Sequence, residues 1–300
     1  MAEAPLTVVV AINPQASFGK RREVGPHVVE RLRRAGHRVV DVAEPNVELL
    51  RRETIRAVEA GADALVVVGG DGMVSLGTNI VAQTDIPLGI VPSGTGNDLA
   101  AGLGIRIDDT EAATDQLLAA LGKPPRIIDA GLIKHGELTT WFACVVSAGF
   151  DATVNERANM MTRPRGRSRY VFAMLRELAT LKPIEYEVEA DGVVSRRRAL
   201  LISVANNVSL GGGMRIVPHA ELDDGYLDLF VVEPMSRLGF LRVFPKVFQG
   251  THTTLPEVSF QRVRSVKLSA DRVVAYADGE RVGALPVEIS LVPASLRVLS

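Results

Sequence analysis

The stretch Ala64–Asp98, ALVVVGGDGMVSLGTNIVAQTDIPLGIVPSGTGND, decides the fold. Its apolar run from Ala64 to Val68 stops at Gly69-Gly70-Asp71-Gly72, as a buried strand does when it enters a tight loop. A helix from about Met73 to Ala82 follows. The pattern then repeats, with an apolar strand from Pro87 to Val91, the loop Ser93-Gly94-Thr95-Gly96-Asn97-Asp98, and helix again from Leu99. Near-continuously apolar strands alternating with helices predict a parallel sheet covered on both faces.

Working outward, the same alternation begins at the N-terminus. Leu6 to Ile12 is mostly β-branched, Asn13-Pro14 to Gly19-Lys20 is polar and turn-rich, and Arg21 to Arg34 reads as a helix. A strand from His37 to Val42 and a helix from about Val47 to Glu59 complete the run. Past Gly122-Lys123-Pro124-Pro125 strands dominate: Ile127 to Ile133, Thr140 to Val146, Glu185 to Ala190, Arg198 to Ala205, Leu227 to Val232, Ser265 to Leu268, Ala275 to Asp278 and Val287 to Val292. Helices near Tyr170 to Leu181 and Arg237 to Phe248 interrupt them. The expected organisation is an α/β domain over residues 1–125, a larger β-rich sandwich over 126–290, and a last segment of about 291–300 free to return to the first domain.

Composition narrows the function classes. A chain of 300 residues with 47% hydrophobic and 23% charged residues is globular and long enough for two cores. Its formal net charge of -1 supplies no global field to attract nucleic acid, so an anionic partner must be met by a local patch. The single cysteine, Cys144, excludes an internal disulfide and a cysteine-rich zinc site, fits a reducing cytoplasm, and lies in a run that reads as buried strand. The N-terminus lacks the basic flank of a secretory signal, and no apolar run reaches the ~20 residues of a membrane helix. The five histidines show no metal-ligand spacing, and no serine-centred elbow supports acyl transfer.

The two glycine-rich loops carry the chemistry. Glycines let bare backbone N–H groups approach a phosphate at a helix N-terminus, and two such loops on neighbouring strands point to a nucleotide. Asp71 would repel phosphate unless a metal ion or water mediates, so it suggests Mg²⁺ chemistry; its bland alternative is a helix N-cap. The turns Leu222-Asp223-Asp224-Gly225 and Tyr276-Ala277-Asp278-Gly279-Glu280 read, on local pattern alone, as hairpins. Lys20 is a weak candidate for a phosphate-facing cation.

GGDG followed by PSGTGND resembles the bacterial diacylglycerol and related lipid kinases, which share their catalytic domain type with sphingosine and ceramide kinases. The resemblance extends to Asn13-Pro14, Asp129 in IIDAG, Gly149-Phe150-Asp151-Ala152, Gly211 to Leu229 and Asp278-Gly279-Glu280. It implies a first domain like that of NAD kinases and phosphofructokinases, binding ATP through Asn13, Gly69, Gly70, Asp71, Gly72, Met73, Ser93, Gly94, Thr95 and Asn97. It further implies a catalytic Mg²⁺ network at Asp71, Asp98 and Asp129, and a structural Mg²⁺ at Glu221, Asp224 and the Tyr226 carbonyl. Asp278 is the implied general base, with Glu280 in reserve. Met73 departs from the Thr that commonly follows GGDG, and Glu44-Pro45-Asn46 stands where many members have a Thr.

The implied substrate is diacylglycerol in a membrane, with residues 126–290 as the lipid domain and the protein in the cytoplasm, peripheral at the inner membrane surface. Arg157 to Lys182, basic and interleaved with Met and aromatic residues, could lie on anionic lipid; a solvated basic face is the alternative. A homodimer would resemble relatives. Kinases of other lipids or of a small soluble alcohol, and a non-catalytic lipid- or nucleotide-binding regulator, are the competing readings.

Overall fold

The computed structural model describes residues 4–14, 23–161, 172–173, 176–177, 182–211 and 213–300. Two compact units divide the chain, one holding residues up to Ile128 together with Ala294–Ser300, the other Asp129–Pro293.

In the first unit, strands β1 (Thr7–Ile12), β2 (Arg38–Ala43), β3 (Ala64–Gly69) and β4 (Leu88–Pro92) alternate with helices α1 (Val24–Arg34), α2 (Val47–Glu59), α3 (Asp71–Val81), α4 (Asp98–Gly102) and α5 (Thr110–Leu121). The strands lie in the order β2-β1-β3-β4, all parallel. Val298 and Leu299, near the C-terminus, add a further parallel segment beside Leu88 and Gly89. Every residue of β3 and β4 is buried, as a sheet sandwiched between helices requires. The helix entries are capped locally: Asn46 accepts the Leu49 N–H, and Asp109 accepts those of Glu111 and Ala112. Asn46, one of the departures from the family pattern, thus has a structural task.

The second unit contains β5 (Arg126–His135, from Asp129), β6 (Leu138–Phe142), β7 (Val145–Gly149), α6 (Phe150–Met160), β8 (Ile184–Ala190), β9 (Val193–Ala199), β10 (Leu201–Ala205), β11 (Leu227–Val232), α7 (Arg237–Gln249), β12 (Val258–Val263), β13 (Ser265–Ser269), β14 (Val274–Ala277), β15 (Glu280–Ala284) and the start of β16 (Val287–Leu299). One antiparallel sheet runs β12-β11-β10-β7-β14-β15. It faces a second antiparallel layer in which β13 lies between β8 and β16. Phe142, Val146, Tyr186, Val188, Ile202, Val204, Leu229, Val231, Val266 and Leu268 from both layers share one core.

One sequence expectation is corrected here and another lies largely beyond the described residues. The strand expected over Arg198 to Ala205 is two strands in different sheets, β9 and β10. Its polar half pairs outward with β8, setting Arg196 and Arg198 opposite Glu187 and Glu185, whereas its apolar half enters the core beside β7 and β11. Arg196, Arg197 and Arg198 all lie in β9. The expected helix near Tyr170 to Leu181, and with it Arg163, Arg165, Arg167 and Arg169, lies largely outside the described residues.

Ile202 is fully buried at the centre of the sandwich. Its replacement by Ala removes three carbons that the rigid sheets cannot fully collapse around, costing about 2–5 kcal/mol. Chemical denaturation followed by far-UV dichroism is expected to show the lowered midpoint; an unchanged midpoint would remove Ile202 from the core.

Candidate functional site

In the first unit, Asn13 follows β1, Gly70–Gly72 follows β3 and Ser93–Asn97 follows β4. All three therefore leave the carboxyl ends of adjacent parallel strands. The chain passes from β1 to β2 on one side and reaches β3 on the other, so the sheet order reverses at β1, the kind of position at which open α/β sheets bind ligands.

Close packing of the two glycine loops shows why side chains are missing. A Cβ added to Gly70 would stand 3.0 Å from the Gly94 Cα, and one added to Gly94 would collide with the Gly70 Cα. A Cβ at Gly96 would strike the Asp71 carboxylate. The loops are also bonded together: the Ser93 N–H donates to the Gly69 carbonyl at 2.8 Å. Asn97, in left-handed conformation with φ 60°, closes its own loop by accepting the Gly94 N–H and donating to the Gly94 carbonyl.

Asp71 is the clasp. Its carboxylate accepts the N–H of Asn97 at 3.0 Å and that of Asp98 at 2.7 Å, across the loops to the first turn of α4. Burial pushes its carboxyl above the ordinary carboxylate range, and the amides of Asp98 and Asn97 oppose that shift. Asp71 therefore caps a helix, but the helix belongs to the other loop. Thr95 stands exposed at the loop apex, while Asp98 is buried. Met73 is buried, and its N–H is already bonded to the Gly70 carbonyl, so it supports the loop from beneath. Lys20 lies outside the described residues.

The second unit gathers the remaining acids through backbone bonds. Asp278 and Gly279 form the two-residue turn between β14 and β15, with φ 48° and 85°, the conformation in which Asp-Gly hairpins are favoured. Asp278 is 7% exposed, and its carboxylate accepts the N–H groups of Ala143 at 2.8 Å, Cys144 at 3.0 Å and Val145 at 2.8 Å. Bonds of this charge-assisted kind contribute about 1.5–3 kcal/mol each, so Asp278 organises the connection from β6 to β7 whatever else it does. Glu280, two residues on, is exposed.

Asp129 accepts the Gly225 N–H at 2.8 Å and donates its own N–H to the Leu222 carbonyl at 2.7 Å, which fixes the Glu221–Tyr226 turn. Asn206, which the sequence reading missed, donates from one amide nitrogen to the carbonyls of Asp129 and Ala143. A hydrogen-bonded chain therefore runs from the Gly225 turn through Asp129 and Asn206 to Ala143 and Asp278. The only sequence signal for Asn206 is the polar pair Asn206-Asn207 at the end of an apolar strand.

The metal expectations divide. Asp71 and Asp98 offer hard oxygen donors at the clasped loops, with Asp71 already committed to amides, a set that fits a divalent cation held largely through water. At the expected structural ligands the structure shows protein partners. Glu221 is exposed, Asp224 accepts the Tyr226 N–H and pairs with the Arg262 guanidinium, and Arg262 and Arg264 stack on the Tyr226 ring with centroid distances of 4.1 and 4.9 Å. Arg262 thus supplies the positive charge at Asp224. Among the described residues no group of three or more His, Cys, Asp or Glu side chains is placed to hold a metal.

Replacing Gly94 with Ala forces the two loops apart. A fall of about tenfold or more in ATP affinity by calorimetry, with the β-sandwich unit's unfolding unaltered, is the expected outcome; unchanged affinity would mean that loop contact is irrelevant to binding.

Comparison with known proteins shows the family and the fold. Residues 7–130 match the family model described as the diacylglycerol kinase catalytic domain, and residues 144–300 that described as the YegS C-terminal NAD kinase beta sandwich-like domain. A diacylglycerol kinase of Mycobacterium tuberculosis is 39% identical over 294 residues, covering 97% of this chain and 94% of the relative. One from Bacillus subtilis is 29% identical, covering 75% and 74%. Among solved structures, a diacylglycerol kinase from Bacillus anthracis superposes with a TM-score of 0.72 at 20% identity over 98% of this chain and 96% of that one. An NAD kinase from Archaeoglobus fulgidus in complex with ATP does so with a TM-score of 0.55 at 13% identity over 98% and 94%. These two likenesses show that the fold is of the NAD kinase type.

Proposed function

The chain belongs to the diacylglycerol kinase family and is a lipid kinase, and from that premise we propose that it transfers the γ-phosphoryl group of ATP to the free hydroxyl of diacylglycerol, giving phosphatidic acid. The observation that carries the reading is the pair of loops clasped by Asp71 at adjacent strand ends, two backbone-rich turns held at a spacing only glycine permits.

In this reading the loops orient the triphosphate, with Asn13, Ser93 and Thr95 adding polar contacts at the same strand ends. The acceptor oxygen forms a bond to the γ-phosphorus, the bond from that phosphorus to the ADP oxygen breaks, and the hydroxyl proton leaves to a carboxylate. We assign that proton to Asp278, with Glu280 as the alternative. Phosphoryl transfer through a loose transition state asks little basicity of the acceptor and much of its position, and an amide cradle supplies position. Magnesium, held with the triphosphate near Asp71 and Asp98, would neutralise its charge. Asp129 has a supporting part in this scheme, because its carboxylate is engaged by the Gly225 turn.

A panel of diacylglycerol, ceramide, sphingosine and glycerol in mixed micelles with γ-labelled ATP and Mg²⁺ tests the reading. Label is expected chiefly in phosphatidic acid. Label in a sphingoid product or in glycerol phosphate would reassign the acceptor, and no transfer at all would favour a non-catalytic regulator.

The base assignment needs two variants, because Asp278→Asn turns an amide donor toward the backbone N–H groups that the carboxylate accepts. Glu280→Gln is expected to stay within about twofold of the wild-type kcat, and Asp278→Asn to fall about a hundredfold or more with its melting temperature measured alongside. The opposite ranking would move the role to Glu280.

A further inference from the structure

Helix α7, RLGFLRVFPKVFQ, has a surface that the proposed chemistry does not use. One side is anchored. Phe240 is buried and meets the Phe150 ring edge-on at 4.8 Å, and the Phe244 ring lies 6.3 Å from that of Phe240. Both ends are fixed as well, by the Ser236 side chain accepting the Gly239 N–H, by the Arg215 N–H donating to the Val247 carbonyl, and by Gly250 in left-handed conformation at the C-terminus. The helix is therefore firmly seated.

Its other side is apolar and open to solvent. Leu238, Leu241 and Phe248 are 69%, 40% and 46% exposed, and Pro245 is exposed beside them. At about 100° per residue these four fall in one arc of about 80°. Arg237 stands at about 20° beyond one border of that arc, and Arg242 and Lys246 at about 40° and 80° beyond the other. The helix carries no acidic residue, and among the described residues none of the three cations has a carboxylate partner.

An apolar stripe bordered on both sides by long cations is the pattern of a helix lying in the plane of a bilayer interface. The stripe enters the acyl boundary while Arg and Lys reach up to headgroup phosphates. The formal charge of the whole chain is -1, so this local charge of three cations stands against the average surface. A protein partner would not require cations along both borders. An anionic lipid surface does, because the headgroups surround the helix on every side. We propose that α7 is a membrane-docking element that seats the second unit on an anionic bilayer. This rests on the reading of the chain as a kinase of membrane-borne lipid, and it places membrane contact on a helix other than the Arg157–Lys182 segment. In that segment Arg157 is already paired with Glu177.

Two triple variants of the full chain test the proposal: Leu238→Ser with Leu241→Ser and Phe248→Ser, and Arg237→Gln with Arg242→Gln and Lys246→Gln. Each is sedimented with vesicles of phosphatidylcholine mixed with phosphatidylserine and with vesicles of phosphatidylcholine alone. Wild type is expected to favour the mixed vesicles, and both variants to bind them about tenfold more weakly or less. Turnover of a short-chain diacylglycerol dispersed in detergent is expected to remain unchanged.

Undiminished vesicle binding by both variants would overturn the proposal. So would a variant that turns a dimer into a monomer, by analytical ultracentrifugation, while still binding vesicles, since the stripe would then face a second copy. If the serine variant melts early, the glutamine variant decides, because its changes are confined to solvated cations. Failure of the kinase reading would show separately, as absent turnover in wild type with vesicle binding intact.

Discussion

The carboxylate of Asp71, bonded to the amides of Asn97 and Asp98, is the constraint on which the candidate site depends. It joins two loops that arrive from different strands, and it can do so only because Gly70, Gly94 and Gly96 leave room for backbone to meet backbone. Taking a carboxylate out of water raises its pKa and costs stability, and the two amides offset part of that cost. The result is a rigid surface rich in main-chain groups at the strand ends, the kind of preorganised polar surface that phosphoryl transfer uses.

The second unit applies the same device to different residues. Asp278 gathers three consecutive amides, Asp129 holds the Gly225 turn, and Asn206 ties their surroundings together. These acids therefore shape backbone as well as any chemistry they perform. A variant at Asp278 or Asp129 releases backbone bonds whatever else it does, whereas Glu280 is exposed on the hairpin.

Much of this was legible in the sequence because it is locally encoded. The buried strands β3 and β4 are apolar runs, and the glycines mark the loops beyond them. The division of β9 from β10 was less visible, since one continuous β-rich stretch changes sheets where polar alternation gives way to apolar residues. The amide cradle of Asp278 and the pairing of Arg262 with Asp224 were not legible. They join residues far apart in the chain, and Asp-Gly reads the same in an idle hairpin as in one that closes over Ala143. Arg262 adds a feature that the family resemblance did not foretell: a guanidinium pairs with Asp224 beside the Gly225 turn.

The most direct measurement of the central claim is a crystal structure of the protein with a non-hydrolysable ATP analogue and Mg²⁺. The account predicts the β- and γ-phosphates within hydrogen-bonding distance of the main chain at Gly69–Gly72 and Ser93–Gly96, with the Asp71 clasp intact. Phosphates lodged away from both loops, or loops that separate to admit them with Asp71 released from Asn97 and Asp98, would contradict it.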